Sequence, residues 1–155
     1  MSNQLDYCIN KQNDKSVSIQ LTGFIDETTR EVLFRLKGEI PDNFGTLAID
    51  TSGVSRISSI GIAHYSAFIK SFKDVRIKYQ ACSVVFMDFL SMLPGVKGEA
   101  EIESFYGSYF CERCDDEFSV LVRIEDVHIS HTASCTKCAG TSAAIGYIEE
   151  KIKGY

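Results

Sequence analysis

The segment TLAIDTSGVSRISSIGI, residues 46–62, decides the fold of this chain. Its first five residues are nearly all apolar, which is typical of a central strand that is buried on both faces. A helix is predicted to begin at Ser58 and Ser59, because serine oxygens cap the free N–H groups of a first helical turn. A strand followed by a helix indicates an α/β fold. The predicted helix has one apolar face, which contains Ile62, Tyr65, Phe68, Ile69 and Phe72.

The flanking segments alternate between strand and helix patterns. Polar and apolar residues alternate in the strand candidates, and apolar residues recur at helical spacing between them. The predicted order before the cysteines is β–β–α–β–α–β–α–β, with its helices packed on a β-sheet. The predicted strands are Leu5–Ile9, Ser16–Leu21, Thr46–Asp50, Val75–Tyr79 and Glu101–Phe105, and the helices are predicted to begin near Asp26, Ser58 and Ser83.

Two Cys-x-x-Cys pairs follow, Cys111 with Cys114 and Cys135 with Cys138. Four thiolates in this pattern make a tetrahedral cage for one Zn²⁺. Because four cysteines fill the coordination shell, we expect this zinc ion to be structural and to have no catalytic role. Disulfides are the alternative reading of the two pairs. His128 and His131 lie between the pairs and are alternative ligands if one cysteine is displaced.

The cysteine region is predicted to form a zinc ribbon whose hairpin strands span residues 118–124 and 125–130. An isoleucine repeat at helical spacing predicts a last helix over residues 142–153, packed on the sheet. The expected organisation is an α/β domain over 1–105, a ribbon over 106–140 and a C-terminal helix within 141–155. The aromatic residues expected to form the core that joins ribbon and sheet are Phe105, Tyr106, Tyr109 and Phe110.

Charge and composition bear on partners and location. The 155 residues carry a net charge of −5, which removes the long-range attraction that drives most nucleic-acid binding. We therefore expect a protein partner and no nucleic acid. The N-terminus lacks a secretory pattern, and no apolar run approaches the roughly 20 residues of a membrane span, so a cytoplasmic protein without membrane contact is expected. No catalytic triad order and no phosphate-binding glycine pattern is visible, so no enzymatic activity is expected.

The stretches IDTSGV, residues 49–54, and ISSIGI, residues 57–62, resemble the STAS family of anti-sigma-factor antagonists. The family pattern is an apolar strand ending in Asp, a small-Gly-Val turn, and Asp-Ser-Ser/Thr-Gly opening a helix. The resemblance covers about residues 5–105 and implies a STAS-like mixed β-sheet with helices. In the family, a partner kinase that is also an anti-sigma factor phosphorylates the serine after the aspartate. By position that serine is Ser59, and Gly61 matches the family glycine, so the resemblance implies a regulatory module that docks a protein partner over this loop.

Two positions depart from the family pattern. Ser58 stands where the family has aspartate, and Ile60 stands where it has serine or threonine. A phosphate on Ser59 would be favoured by the free N–H groups and the dipole of the helix. The alternative is that Ser58 or Ser59 only caps the helix. Two other functions stay open: a nucleic-acid-binding ribbon protein whose STAS-like part forms a homodimer, and a redox sensor that releases zinc when its thiolates are oxidised.

Overall fold

The computed structural model describes residues 3–13, 15–129 and 132–144, which form two β-sheets, four α-helices and one 3-10 helix. None of the helices in these ranges is long and apolar enough to cross a membrane. The first sheet contains β1 (Asp6–Gln12), β2 (Ser16–Ile25), β3 (Thr46–Ile57), β4 (Arg76–Gln80) and β5 (Glu101–Ile102). The second sheet contains β6 (Ser104–Cys111), β7 (Asp116–Arg123), β8 (Thr132–Ser134) and β9 (Thr141–Ala144). The helices are α1 (Thr29–Glu39), α2 (Ser59–Lys70), α3 (Val84–Met92), α4 (Pro94–Lys97) and the 3-10 helix Ile124–Ile129.

The first sheet has the strand order β1-β2-β3-β4-β5, with β3 at its centre. β1 and β2 form an antiparallel hairpin, whereas β2 to β5 run parallel. Parallel neighbours need crossover connections, and α1, α2 and the α3–α4 pair provide them. This mixed sheet with crossover helices confirms the predicted α/β fold class.

The two faces of the central strand of the first sheet differ in burial. In β3, Leu47 and Ile49 are inaccessible to solvent, while Ala48 and Asp50 are half-buried. The strand order runs in one direction, and right-handed crossovers then place all the helices on the same side of the sheet. The prediction that β3 is buried on both faces is therefore wrong, because its residues alternate between buried and half-buried and the crossover helices of the described residues pack on one face.

The second sheet has the strand order β7-β6-β9-β8. β6 and β7 form an antiparallel hairpin whose register runs without a break from the pair Ser104 and Arg123 to the pair Cys111 and Asp116. β9 pairs with the other edge of β6, and β8 pairs with β9. The predicted ribbon is thus built from two hairpins, β6–β7 and β8–β9.

Two predictions about this region are wrong. Residues 125–130 are predicted as a strand, but residues 125–129 belong to the 3-10 helix, and residue 130 lies outside the described residues. The last helix is predicted from Ser142, but Thr141–Ala144 form β9. Hydrogen bonding to β6 on one edge and β8 on the other holds this backbone extended. The rest of the predicted helix, residues 145–153, lies outside the described residues.

The two sheets share one hydrophobic core. Phe105 and Tyr109 of β6 are each 1% exposed and belong to the same buried cluster as the covered face of the first sheet. The backbone N–H of Cys82 donates to the carbonyl of Ser104 at 3.1 Å, and the N–H of Tyr106 donates to the carbonyl of Cys82 at 2.8 Å. Of the four aromatic residues expected at this junction, Phe105 and Tyr109 belong to the core, whereas Tyr106 and Phe110 are only half-buried and lie outside it. The predicted boundary at residue 105 falls inside β6.

Candidate functional site

The four cysteines meet at the tips of the two hairpins of the second sheet. Cys111 ends β6, and Cys114 lies in the turn before β7. Cys135 and Cys138 lie in the turn between β8 and β9. β9 pairs with Tyr109 and Phe110, near the end of β6. This pairing places the second turn beside the first. The strand pairing thus brings together all four residues predicted as metal ligands.

Their sulfur atoms lie at distances that suit one tetrahedral ion. The Sγ atoms of Cys111 and Cys138 are 3.5 Å apart, and those of Cys114 and Cys135 are 3.9 Å apart. All four sulfurs lie within 4.8 Å of one another. A Zn²⁺ ion with Zn–S bonds of about 2.3 Å has sulfur–sulfur edges of about 3.8 Å. The sulfurs are too far apart for a disulfide bond of about 2.05 Å, and all four cysteines are free thiols.

The backbone of both turns is shaped around the sulfurs. The N–H of Lys137 donates to the sulfur of Cys135 and the N–H of Gly140 donates to that of Cys138, each at 3.4 Å. Asp115 and Ala139, which follow the second cysteine of each pair, have φ angles of 52° and 57°. Hydrogen bonds to an ionised acceptor are stronger than neutral ones, so these N–H groups favour the thiolate form that binds metal.

The electrostatics of the cluster call for a cation. Hydrogen bonding from the backbone N–H of Cys114 is the main cause that lowers the pKa of Cys111 to about 6. The thiols nearby, Cys138 first, raise the pKa of Cys114 to about 12. Ionisation of one cysteine therefore opposes ionisation of the next. A divalent cation removes this opposition, since it pairs with all the thiolates at once.

Ser142 borders the site, although sequence analysis did not select it. Its side chain is buried, at 1% exposure, and its hydroxyl has no oxygen or nitrogen partner among the described residues. The hydroxyl acts on the sulfur of Cys111 and contributes to the lowering of its pKa. Extending the β6–β9 register by one pair brings Ser142 opposite Cys111. Predicting residues 141–144 as a strand would have identified Ser142, but the sequence pattern predicted a helix there.

An ion pair joins the two turns at the surface. The ammonium group of Lys137 contacts the carboxylate of Asp116 at the start of β7. This hydrogen bond lowers the pKa of Asp116 and raises that of Lys137. Exposed pairs of this kind add little stability, so the pair orients the second turn against the first without holding the ribbon together.

Ser58, Ser59 and Gly61 lie together at the start of α2. Ser58 is the N-cap, and its Oγ accepts a hydrogen bond from the N–H of Gly61 at 3.1 Å. The prediction that a serine caps this helix is confirmed. Ser59 is the first helical residue and is exposed. The capping role thus occupies the hydroxyl of Ser58 and leaves Ser59 accessible.

Gly61 allows α2 to start against the end of β2. A Cβ atom at this position would lie 2.1 Å from the carbonyl oxygen of Ile25 and 2.5 Å from the nitrogen of Asp26. The N–H of Ser58 donates to the same Ile25 carbonyl at 2.9 Å. The helix start is therefore fixed by backbone contacts that only a glycine at position 61 permits.

The histidines do not complete a catalytic arrangement in the described part of the chain. His64 lies on α2 and faces α1, where it lines a groove between the two helices. It is five residues beyond Ser59, which places the two side chains on different sides of the helix. His131 and the side chain of His128, the alternative metal ligands, lie outside the described residues.

No protein-family model matches the sequence, and no curated protein matches it. Among solved structures, the chain is similar to an anti-sigma factor antagonist from Mycobacterium paratuberculosis, with 16% sequence identity and a TM-score of 0.48. The similarity covers 66% of this chain and 87% of that one.

Proposed function

We propose that this chain is a non-enzymatic regulatory protein of the STAS type that binds a protein partner and holds a structural Zn²⁺ in its ribbon. The partner is a kinase or anti-sigma factor that docks over the start of α2, and Ser59 is its phosphoacceptor. The metal is bound by Cys111, Cys114, Cys135 and Cys138. The observation that carries the proposal is the cluster of four sulfurs within 4.8 Å, which is a complete metal shell and the one cluster of metal-ligating side chains found among the described residues.

The metal site supports a structural role. Four cysteine ligands saturate a tetrahedral ion and leave no position for water or substrate. The N–H groups of Lys137 and Gly140 in the second turn donate to sulfurs, and the N–H of Cys114 in the first turn acts on the sulfur of Cys111. A stable thiolate site needs such surroundings. When bound, the ion supplies cross-linking of the two hairpins, and the chain supplies all four of its ligands.

The start of α2 supports the regulatory role. Ser59 is exposed, and the first turn of this 12-residue helix contains no acidic residue. The N-terminal N–H groups and the helix dipole favour an added phosphate. A phosphoryl group adds about −2 charge at pH 7, which is enough to change how a partner docks there. Ile60, next to Ser59, is 56% exposed and provides an apolar contact on the same surface.

The metal proposal is tested by measuring the zinc content of the purified chain by mass spectrometry. We expect one zinc per chain, lost in Cys114→Ser and retained in Cys8→Ser, a matched control because Cys8 is exposed and outside the cluster. Equal zinc content in both variants contradicts the assignment. Zinc release on treatment with mild peroxide would instead favour the redox-sensor function.

The regulatory proposal is tested by phosphopeptide mapping after incubation with ATP and a lysate of the source organism. We expect phosphate on Ser59, none in Ser59→Ala, and continued labelling in Ser58→Ala. Labelling at another site would end the phospho-switch proposal. The partner is identified by affinity capture on the wild-type chain and on Ser59→Asp. A parallel assay measures DNA binding across salt concentrations, and we expect no DNA binding.

A further inference from the structure

A groove separates the outer surfaces of α1 and α2. It encloses about 270 Å³. Leu33 and Phe68, which are buried, form its floor, and Phe34 and Ala67 form its apolar walls. The groove continues a surface that begins at Ile60, because residues 60, 64, 67 and 71 lie along one side of α2.

Phe34 is the most exposed of the large apolar side chains recorded for the described residues, at 82%. It lies outside the buried face of α1, which consists of Thr29, Val32, Leu33 and Leu36. A phenylalanine left in water gives up the favourable transfer of its ring into an apolar environment. Large aromatic side chains beside a groove are the usual anchors of protein interfaces. Phe34 is therefore placed to be covered by another molecule.

The charge of the groove is opposite to that of the chain. Arg30 and Lys37 line it together with His64, and no carboxylate is among its lining residues; its positive charge comes from Arg30 and Lys37, although the chain as a whole has a net charge of −5. Arg30, Phe34 and Lys37 share one face of α1, at i, i+4 and i+7. The two basic residues thus flank the exposed ring on the same face.

Lys37 is held in place rather than free in solvent. Its Nζ donates to the carbonyl and the hydroxyl of Ser71 at 3.2 and 2.9 Å, and lies 3.6 Å from the centre of the Phe72 ring. Burial is the main cause that lowers the pKa of Lys37, and Asp42, which is not part of the groove, opposes that shift. The positive charge at this end of the groove is thereby fixed at the junction of α1 and α2.

We propose that this groove binds an acidic amphipathic helix of a protein partner. An apolar residue of that helix packs between Phe34 and Ala67, and its carboxylates pair with Arg30 and Lys37. This is the helix-in-groove mode of recognition, in which apolar anchors recur at helical spacing. The proposal rests on the proposed function, since it names the chemistry of the partner. It requires neither phosphorylation of Ser59 nor zinc.

The test uses two fluorescein-labelled synthetic peptides of roughly 15 residues, a length at which helices begin to be stable. Both have leucine at i, i+3 and i+7; the flanking residues are glutamate in one and lysine in the other. We expect fluorescence anisotropy to show binding of the glutamate peptide alone, weakened by salt. Phe34→Ala should raise its Kd at least roughly tenfold, and Arg30→Gln should raise it by a smaller factor.

Two matched controls separate the groove from the rest of the surface. Arg35→Gln changes an exposed arginine of the same helix that does not line the groove, and Met92→Ala removes another exposed apolar side chain, 73% exposed. Both should bind the glutamate peptide as the wild type does. Because Phe34 and Arg30 are exposed, their variants are expected to fold, which far-UV circular dichroism verifies.

Four results would overturn the proposal. These are no binding of the glutamate peptide, equal binding of both peptides, unchanged affinity of Phe34→Ala, and self-association of the wild type that Phe34→Ala abolishes. The last result, seen by analytical ultracentrifugation, identifies a second copy of the chain as the occupant. If the glutamate peptide does not bind but Ser59 is phosphorylated normally, the groove proposal fails and the proposed function stands. If the peptide binds but Ser59 is not phosphorylated, the phospho-switch fails and the groove proposal stands.

Discussion

Replacing Gly61 with alanine is expected to disrupt the junction between α2 and the end of β2. The new Cβ would lie 2.1 Å from the oxygen of Ile25, 2.3 Å from its carbonyl carbon and 2.5 Å from the nitrogen of Asp26. All three are backbone atoms, so no side-chain rotation relieves the overlap. Since non-bonded carbon contacts are ordinarily about 3.5 Å or longer, the helix start must move by roughly 1 Å.

That movement lowers the stability of the folded chain in two ways. Forcing one extra methyl group into a packed site typically costs about 1–3 kcal/mol. The shift also lengthens the hydrogen bond from Ser58 to Ile25, now 2.9 Å, and a typical bond contributes about 1 kcal/mol. Together these lower the free energy of unfolding by about 3 kcal/mol. The sign is opposite to that of an ordinary glycine in a helix, where alanine stabilises by up to about 1 kcal/mol.

Gly38 in α1 provides the matched control. An added Cβ there meets no atom within 4 Å, so Gly38→Ala is expected to stabilise the chain by about 0.5 kcal/mol. Urea unfolding followed by circular dichroism on the zinc-loaded chain measures both variants. If Gly61→Ala unfolds within about 0.5 kcal/mol of the wild type, the helix start is not fixed in the way inferred from these contacts.

Three further predictions concern the core and the ribbon. Tyr65→Phe leaves the buried hydroxyl of Tyr79 without the donor that now lies 3.0 Å away. It should lower the free energy of unfolding, measured in urea, by about 1–3 kcal/mol. The double variant with Tyr79→Phe should lose less than the sum of the two single losses, and additive losses would contradict the coupling. Phe105→Ala removes a side chain that is 1% exposed and should lower the free energy of unfolding by about 3–5 kcal/mol. Leu121→Ala, at 49% exposure, should lower it by under about 1 kcal/mol. Equal losses would mean that the two sheets do not share a core. Ala139→Gly relieves a left-handed residue, φ 57°, and should slow zinc loss to a chelator because the turn gains about 0.5–1 kcal/mol; faster loss would contradict this.

Local signals predicted the first sheet and the start of α2. The run around β3, the serine cap and the apolar face of α2 depend on residues close in sequence, and caps and periodicity report such local preferences. The cysteine spacing predicted the cluster for the same reason, because two Cys-x-x-Cys turns bind a metal wherever the chain lets them meet. These features were accessible because each is determined within a few residues.

The errors lie where pairing between distant segments decides the structure. β9 contains Ser142 and two alanines, which have no strong strand preference, and only its pairing with β6 and β8 makes it extended. Strand preference depends on such a context more than helix preference does. The groove was missed for a related reason. Phe34 lies off the apolar spacing of α1, and that departure is the signal that could have identified it, but the position of α2 beside it depends on the sheet.

The position of the metal site along β6 determines how far its influence reaches. This strand begins at Ser104, hydrogen-bonded to Cys82 in the shared core, and ends at the ligand Cys111. At about 3.4 Å per residue, seven steps separate the two ends by roughly 24 Å. The core holds the first end through Phe105 and Tyr109, so we expect the proposed zinc ion to be needed only for the far end and the β8–β9 hairpin. The groove and Ser59 lie on α1 and α2, whose packing depends on the first sheet. We therefore expect the proposed zinc ion to stabilise the ribbon as a second surface, and the proposed partner docking on the helices not to require it.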